Sequence, residues 1–130
     1  MKIVLVEDND AHALLVERCI ECVNPRVDVV RLRDGEDALT FLASCPSDVA
    51  VALVLLDLRL PRVSGLDVLR ELHSIGLPRS MPIVVLSSSD STNDIERAHE
   101  FNIDGYLVKP YEFEELQQSI RALMEQFELA

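Results

Sequence analysis

Five short runs rich in Val, Ile and Leu, each followed by a longer segment whose apolar residues have helical spacing, most constrain the fold of this chain. The runs cover residues 2–6, 27–32, 51–56, 82–86 and 105–108. Apolar runs without polar alternation are typical of strands that are buried on both faces. The chain is therefore predicted to adopt an α/β fold, (βα)5, in which a doubly wound, five-stranded parallel sheet carries helices on both faces.

Length and charge limit the domain organisation and the partners. A chain of 130 residues has the size of one compact domain, so we expect a single domain, residues 1–130, without an output domain. The formal net charge of −11 disfavours nucleic acid and membrane as partners, because both are negatively charged. No apolar run approaches the ~20 residues of a membrane span and no signal-peptide pattern is present, so a cytoplasmic location is expected. We expect residues 128–130 to fray.

The cysteines have one spacing that could indicate chemistry. Cys19 and Cys22 form a C-x-x-C pair, but no second pair or histidine cluster completes a zinc site. Cys19 also continues the apolar stripe of the first predicted helix, to which His12 and Val16 belong, so we interpret it as a core residue. With Cys45, the cysteine count is odd, which favours a reducing compartment over a disulfide framework.

Polar side chains follow four of the five predicted strands. They are Glu7, Asp8, Asp57, Ser87 and Lys109. The carboxyl ends of parallel strands lie at one edge of a sheet, where such folds bind ligands, so these side chains should converge. Clustered carboxylates repel one another unless a cation lies among them, and Mg²⁺ is the expected oxygen-seeking ion. A metal, an ammonium group and a central carboxylate together could hold a phosphoryl group.

Each of these residues, taken alone, has a plain structural explanation. Glu7 and Asp8 could simply be acidic residues at a helix N-terminus, where the helix dipole favours them. Ser87 begins a polar segment that also looks like a turn and a helix cap. Lys109 could be a surface lysine. Tyr106 could be an ordinary half-buried strand aromatic. For these residues, convergence at one sheet edge favours a functional site. Asp57 could also start the next loop, but a charge that ends an apolar run is costly to bury unless it has a use.

The same segments resemble a known family. Glu7-Asp8, Leu-Leu-Asp-Leu-Arg-Leu-Pro at residues 55–61, Ser87, and Gly-Tyr-Leu-Val-Lys-Pro at residues 105–110 resemble the receiver domain of two-component response regulators, of the chemotaxis-receiver type. The resemblance covers essentially the whole chain. It implies a flavodoxin-like fold with strand order 2-1-3-4-5.

The resemblance also implies an acidic metal site. Asp57 would be the phosphoacceptor, and Mg²⁺ would be the cofactor. Asp8 and Asp57 would bind the ion directly together with the backbone carbonyl of Arg59, and Glu7 would act through water. Asp is common in the family where this chain has Glu7, which keeps the negative charge.

Further roles follow from the resemblance at the other strand ends. Lys109 would pair with the phosphoryl oxygens, and Ser87 would donate a hydrogen bond to one of them. Ser87 and Tyr106 would form the switch, in which the aromatic ring turns inward as the hydroxyl moves. Arg59 and Ser88 would tune access to the pocket.

The function expected from the resemblance is that of a stand-alone response regulator in a phosphorelay. A sensor histidine kinase would phosphorylate it, and a weaker likeness, in residues 77–89, is to the small regulators paired with bacterial phytochrome kinases. Output would then occur by protein contact, including a homodimer through helix 4, strand 5 and helix 5. The chain would not be an enzyme apart from its own phosphorylation and dephosphorylation.

Three other functions fit the sequence less well than this one. A dehalogenase-type Mg²⁺-dependent phosphatase also forms an aspartyl phosphate, but it needs an acid two residues after the nucleophile, where this chain has Arg59. A flavodoxin-like cofactor binder needs a phosphate cradle rich in Gly, Ser or Thr, where residues 7–10 are Glu-Asp-Asn-Asp. A pseudo-receiver that binds without phosphorylation would not need the intact acids and lysine.

Overall fold

The computed structural model describes residues 1–44, 51–76 and 81–130. Strands and helices alternate along the chain: β1 (Lys2–Val6), α1 (Asp10–Val23), β2 (Asp28–Leu32), α2 (Gly35–Ser44), β3 (Val51–Leu56), α3 (Gly65–Ser74), β4 (Ile83–Ser87), α4 (Thr92–His99), β5 (Gly105–Val108) and α5 (Phe113–Gln126). The strands form one parallel sheet in the order β2-β1-β3-β4-β5. This confirms the predicted fold class and strand order. Cys45 and the loop at residues 77–80 lie outside the described residues.

The strands differ in burial according to their place in the sheet. The central strands β1, β3 and β4 are almost wholly buried, as predicted. The edge strands β2 and β5 are largely half-buried, so the expectation of burial on both faces was wrong for them. An edge strand has a neighbour on one side only, and its apolar side chains are covered less completely. β4 also extends one residue beyond its predicted end, because Ser87 pairs with Val108 of β5.

Two apolar cores lie on opposite faces of the sheet. Ile3 and Leu5 of β1 contribute to a cluster with residues of α1 and α5. Val4 and Val6 contribute to a second cluster with residues of α2 and α3. Alternate residues of one strand thus face opposite helical layers, as the two-residue period of a strand requires. Within residues 1–44, 51–76 and 81–130, no helix is long and apolar enough to cross a membrane.

The stripe predicted for α1 is only partly correct. Cys19 is fully buried, as expected of a core residue, and burial raises the pKa of its thiol to about 11. Cys22 is exposed. The placement of His12 in the stripe was wrong, because its side chain is 50% exposed and Ala13 occupies the buried position instead.

The chain end is also packed more closely than expected. Leu129 is only 1% exposed and packs into the core formed with α1 and α5. Its backbone N–H donates to the carbonyl of Met124 at 2.6 Å, and its own carbonyl accepts from Asn24 Nδ2 at 2.9 Å. The predicted fraying of residues 128–130 therefore does not hold at Leu129.

Candidate functional site

The loop between β1 and α1 carries two of the predicted acids. Glu7 is 2% exposed, and its backbone N–H continues the sheet by donating to the carbonyl of Leu32 at 3.0 Å. Its carboxylate accepts from the backbone N–H of Asn9 at 3.2 Å. The Asn9 side chain in turn caps α1 by accepting from the N–H of His12 at 3.0 Å. Glu7 thus lies buried in a loop fixed at both ends, whereas Asp8 is exposed.

Asp57 lies directly after β3, where the backbone holds it on two sides. Its N–H donates to the carbonyl of Val6 at 3.1 Å, and its Oδ1 accepts from the N–H of Arg59 at 2.9 Å. The start of α3 packs closely against it, since a Cβ on Gly65 would lie 2.3 Å from the Asp57 carbonyl oxygen. This requirement for glycine was not predicted from the sequence. Asp57 is 5% exposed, so its carboxylate is a buried group with a fixed orientation.

Lys109 brings these acids together. Its Nζ donates to Asp57 Oδ2 at 3.0 Å and also to Glu7 Oε1. Its side chain is 11% exposed, and its backbone N–H donates to the carbonyl of Ser87 at 2.8 Å. The lysine, the acids and the serine predicted from four strand ends are therefore found at one edge of the sheet.

Burial and neighbouring charges shift the pKa values of two groups at this edge of the sheet. Burial raises the pKa of Glu7 to about 7, with a further contribution from the charge of Asp57, although the hydrogen bond from Lys109 opposes the shift. Burial lowers the pKa of Lys109, but its contacts with Glu7 and Asp57 outweigh this effect and raise it above its usual value. The site therefore favours the cationic form of Lys109 and disfavours an unpaired, ionised carboxylate.

A divalent cation fits this donor set. Carboxylate oxygens of Glu7, Asp8 and Asp57 all lie within 4.8 Å of one another. Three carboxylates against one ammonium group leave an excess of negative charge, and a hard cation with oxygen ligands is the ion that such a cluster prefers. The acids predicted as metal ligands are thus close enough to share one ion.

The predicted switch residues lie in a hydrogen-bonded group beside the acids. Ser87 is fully buried, and its Oγ accepts from the N–H of Ser89 at 3.2 Å. The Tyr106 hydroxyl donates to the carbonyl of Ser89 at 2.7 Å, and burial raises the pKa of Tyr106. Ser89, which the sequence analysis did not single out, therefore links the predicted hydroxyl to the predicted aromatic ring.

Arg59 and Ser88 occupy the rim. The Arg59 guanidinium is 66% exposed and lies 3.5 Å from Asp94 of α4, and Asp94 also accepts from the Ser89 hydroxyl at 2.6 Å. Ser88 is exposed and lines a groove of about 140 Å³ with Lys109 and apolar residues of α1 and α5. Their predicted influence on access to the pocket stays a prediction.

His12 lies beside the site, although the sequence pattern predicted it in the apolar stripe of α1. Its Nδ1 lies 3.4 Å from Lys109 Nζ and 3.9 Å from Glu7 Oε1. The available signal was its position in the first turn of α1, which begins directly after the acidic loop.

Residues 3–121 match the family described as response regulator receiver domain. The chain belongs to this family. Receiver domains accept a phosphoryl group on an aspartate, are phosphorylated by histidine kinases and generally bind Mg²⁺.

Curated relatives extend the match over nearly the whole chain. The probable methanogenesis regulatory protein FilR2 of Methanothrix harundinacea is 39% identical over 130 residues, which cover 95% of this chain and 81% of the relative. The two-component response regulator PhoP of Pseudomonas aeruginosa is 37% identical over 95% of this chain. This receiver domain spans about half the length of PhoP, 52%, and of the transcriptional regulatory protein CiaR of Streptococcus pneumoniae, 51%.

Solved structures with this fold include phytochrome response regulators. The phosphorylated cyanobacterial phytochrome response regulator RcpA is 32% identical, with a TM-score of 0.88 over 97% of this chain and 92% of its own. The Mn²⁺-bound response regulator Rcp1 is 30% identical, with a TM-score of 0.85 over 98% and 94% of the two chains. The bacteriophytochrome response regulator AtBRR is 36% identical, with a TM-score of 0.73 over 94% and 91%.

Proposed function

We propose that this receiver domain accepts a phosphoryl group on Asp57 from a sensor histidine kinase, with Mg²⁺, and signals by a phosphorylation-dependent protein contact. The observation that carries the proposal is the buried Asp57 carboxylate, whose Oδ2 lies 3.0 Å from the Lys109 ammonium group. A buried carboxylate whose neighbours include both a cation and other acids is costly unless it serves a reaction. Membership of the receiver family supplies that reaction.

The phosphoryl transfer follows from the chemistry of the carboxylate. An oxygen of Asp57 attacks phosphorus, and the P–N bond to the kinase histidine breaks as the O–P bond forms. The imidazole leaves with the electron pair of the broken bond. Lys109, already hydrogen-bonded to Asp57, would lie beside the phosphoryl oxygens and neutralise part of their charge. Ser87 is the nearby hydroxyl proposed to donate to one of them.

The metal would be held by residues at the same edge. Asp8, Asp57 and the backbone carbonyl of Arg59 are the proposed direct ligands, and Glu7 would act through water. Bound Mg²⁺ would supply charge neutralisation for the transferred group. The closeness of the three carboxylates supports this assignment.

The kinase and the output are proposed at the level of class. The likeness to the phytochrome response regulator RcpA and the bacteriophytochrome response regulator AtBRR favours a bacteriophytochrome-type kinase, and we place the domain in the cytoplasm. The proposed contact surface for a target or a second copy is formed by α4, β5 and α5, where Val108 is 39% exposed. On this proposal the domain acts as a stand-alone response regulator and catalyses only its own phosphorylation and dephosphorylation.

A small phosphodonor tests the central step. Incubation with acetyl phosphate and Mg²⁺, followed by intact mass measurement, should give one phosphoryl adduct. The Asp57→Asn variant should give none, because the amide keeps the shape of the side chain but lacks the nucleophilic charge. Equal labelling of this variant would refute the assignment of Asp57, and no adduct on the wild-type chain would refute the proposed function.

A further inference from the structure

Arg31 of β2 binds the backbone of the acidic loop. Its Nε and Nη2 both donate to the carbonyl oxygen of Glu7, at 3.0 and 2.8 Å. Its Nη1 donates to Asp10 Oδ1 at 2.8 Å. The side chain is only 17% exposed, so a largely buried cation is directed at a peptide carbonyl rather than at a carboxylate of the site.

This contact fixes the peptide that joins Glu7 to Asp8. A peptide unit is planar, so holding its carbonyl oxygen also fixes the direction in which the chain enters Asp8. On the other side of Glu7, the backbone N–H is bonded to the carbonyl of Leu32, also in β2. Asp8 itself is exposed and is not held in place by burial. Its carboxylate therefore depends on the backbone for its position.

We propose that Arg31 is a positioning residue for the metal site. Its forked contact holds the peptide between Glu7 and Asp8 so that the Asp8 carboxylate stays within reach of Asp57. The inference rests on the proposed Mg²⁺ site, but it concerns a contact that exists without the ion. A guanidinium suits this role because its N–H groups have a fixed planar arrangement that lysine lacks.

The chain provides a matched control in Arg33. Its Nη1 also donates to Asp10 Oδ1, at 2.8 Å, but its side chain is 65% exposed. Arg31→Gln and Arg33→Gln each remove one positive charge beside the same carboxylate. The distinguishing change in Arg31→Gln is the loss of the contact with the Glu7 carbonyl.

The first measurement is Mg²⁺ affinity by calorimetric titration at fixed ionic strength. Loss of a residue that orients a metal ligand typically weakens metal binding about 10- to 100-fold, and we expect a loss in this range for Arg31→Gln. Arg33→Gln should change the affinity less than about threefold, and towards tighter binding, since it removes only a screened surface cation that repels Mg²⁺. Arg31→Lys keeps the charge but not the fork, so it should still bind less tightly than Arg33→Gln.

The second measurement uses the metal-free protein. Hydrogen exchange of the Asn9 amide, which donates to the Glu7 carboxylate, should become faster in Arg31→Gln than in Arg33→Gln. Arg31→Lys serves the same comparison if Arg31→Gln does not fold. Equal Mg²⁺ affinities and equal exchange rates in the Arg31 and Arg33 variants would overturn the inference. Neither measurement requires phosphorylation, so a wild-type chain that fails to accept phosphate would refute the proposed function and leave this test intact.

Discussion

Mg²⁺ affinity should increase as the pH rises from 6 to 8, because a proton on Glu7 removes the negative charge that would hold the ion through water. Burial, reinforced by the charge of Asp57, raises the pKa of Glu7 to about 7. With that value, the deprotonated fraction rises from roughly one tenth at pH 6 to roughly nine tenths at pH 8. Since the water-mediated contact needs the charged carboxylate, the apparent Kd should fall by up to about tenfold over this range.

The same shift has the opposite effect on the stability of the metal-free protein. The pKa of Glu7 is higher in the folded chain, about 7, than its ordinary value of 4.5, so the folded state binds the proton more tightly. Its contribution to the free energy of unfolding is therefore complete below pH 4.5 and is lost as the pH rises through about 7. Saturating Mg²⁺ should reverse this trend, because the ion stabilises the charged form.

Calorimetric titrations at pH 6, 7 and 8, on wild type and two variants, test this reasoning. Glu7→Gln should bind Mg²⁺ more weakly and with little dependence on pH, because the titrating carboxylate is gone. His12→Gln is the control for the neighbouring ring, which lies 3.9 Å from Glu7 Oε1, and it should keep the wild-type change. A wild-type Kd that is constant from pH 6 to 8, or a pH dependence that disappears in His12→Gln and persists in Glu7→Gln, would refute the role given to Glu7.

Two further substitutions test the switch and the packing around the phosphoacceptor. Ser87→Ala should still accept phosphate but should lose most of the proposed phosphorylation-dependent change in partner binding or dimerisation, the latter measured by analytical ultracentrifugation; a full change in this variant would exclude the hydroxyl from the switch. Gly65→Ala should lower the free energy of unfolding in urea by about 1–3 kcal/mol, because the new Cβ would lie 2.3 Å from a backbone oxygen. Gly105→Ala is its control, with nearest neighbours at 3.7 Å, and equal losses in the two variants would contradict the packing argument.

The fold could be predicted because each strand is a short, local run of apolar residues, which is visible in the sequence alone. Apolar runs marked the strands, and the polar residues after four of the five runs marked the edge of the sheet where ligands bind. The end of β3 at Leu56, followed by the buried Asp57, shows this well, because an abrupt change from apolar to charged is visible without any structure. The strand boundaries were predicted less well where backbone hydrogen bonding sets them. Pro82, for example, has no N–H for the ladder, and β4 begins at the next residue, Ile83.

The contacts that hold the acids could not be predicted in the same way. Arg31 and Glu7 are 24 positions apart, and nothing in the strand pattern shows that an arginine within β2 reaches past the strand end to a backbone carbonyl. His12 was misplaced for a related reason. Its spacing fits an apolar stripe as well as it fits the face toward Lys109, and only the packing of α1, with Ala13 buried, distinguishes the two.

Strand order explains why the acidic loop needs support from both sides. β1 lies between β2 and β3, so its loop is bordered by Arg31 on one side and Asp57 on the other. Lys109 follows β5, three strands away from β1, a separation of about 14 Å in a flat sheet. The backbone of Lys109 stays beside β4, because its N–H donates to the carbonyl of Ser87 at 2.8 Å. Its long side chain therefore reaches back across the edge to contact Glu7. If the Glu7–Asp8 peptide shifted, the lysine contact of Glu7 and the proposed metal ligand Asp8 would be displaced together. The anchor in β2 is placed where it opposes that shift.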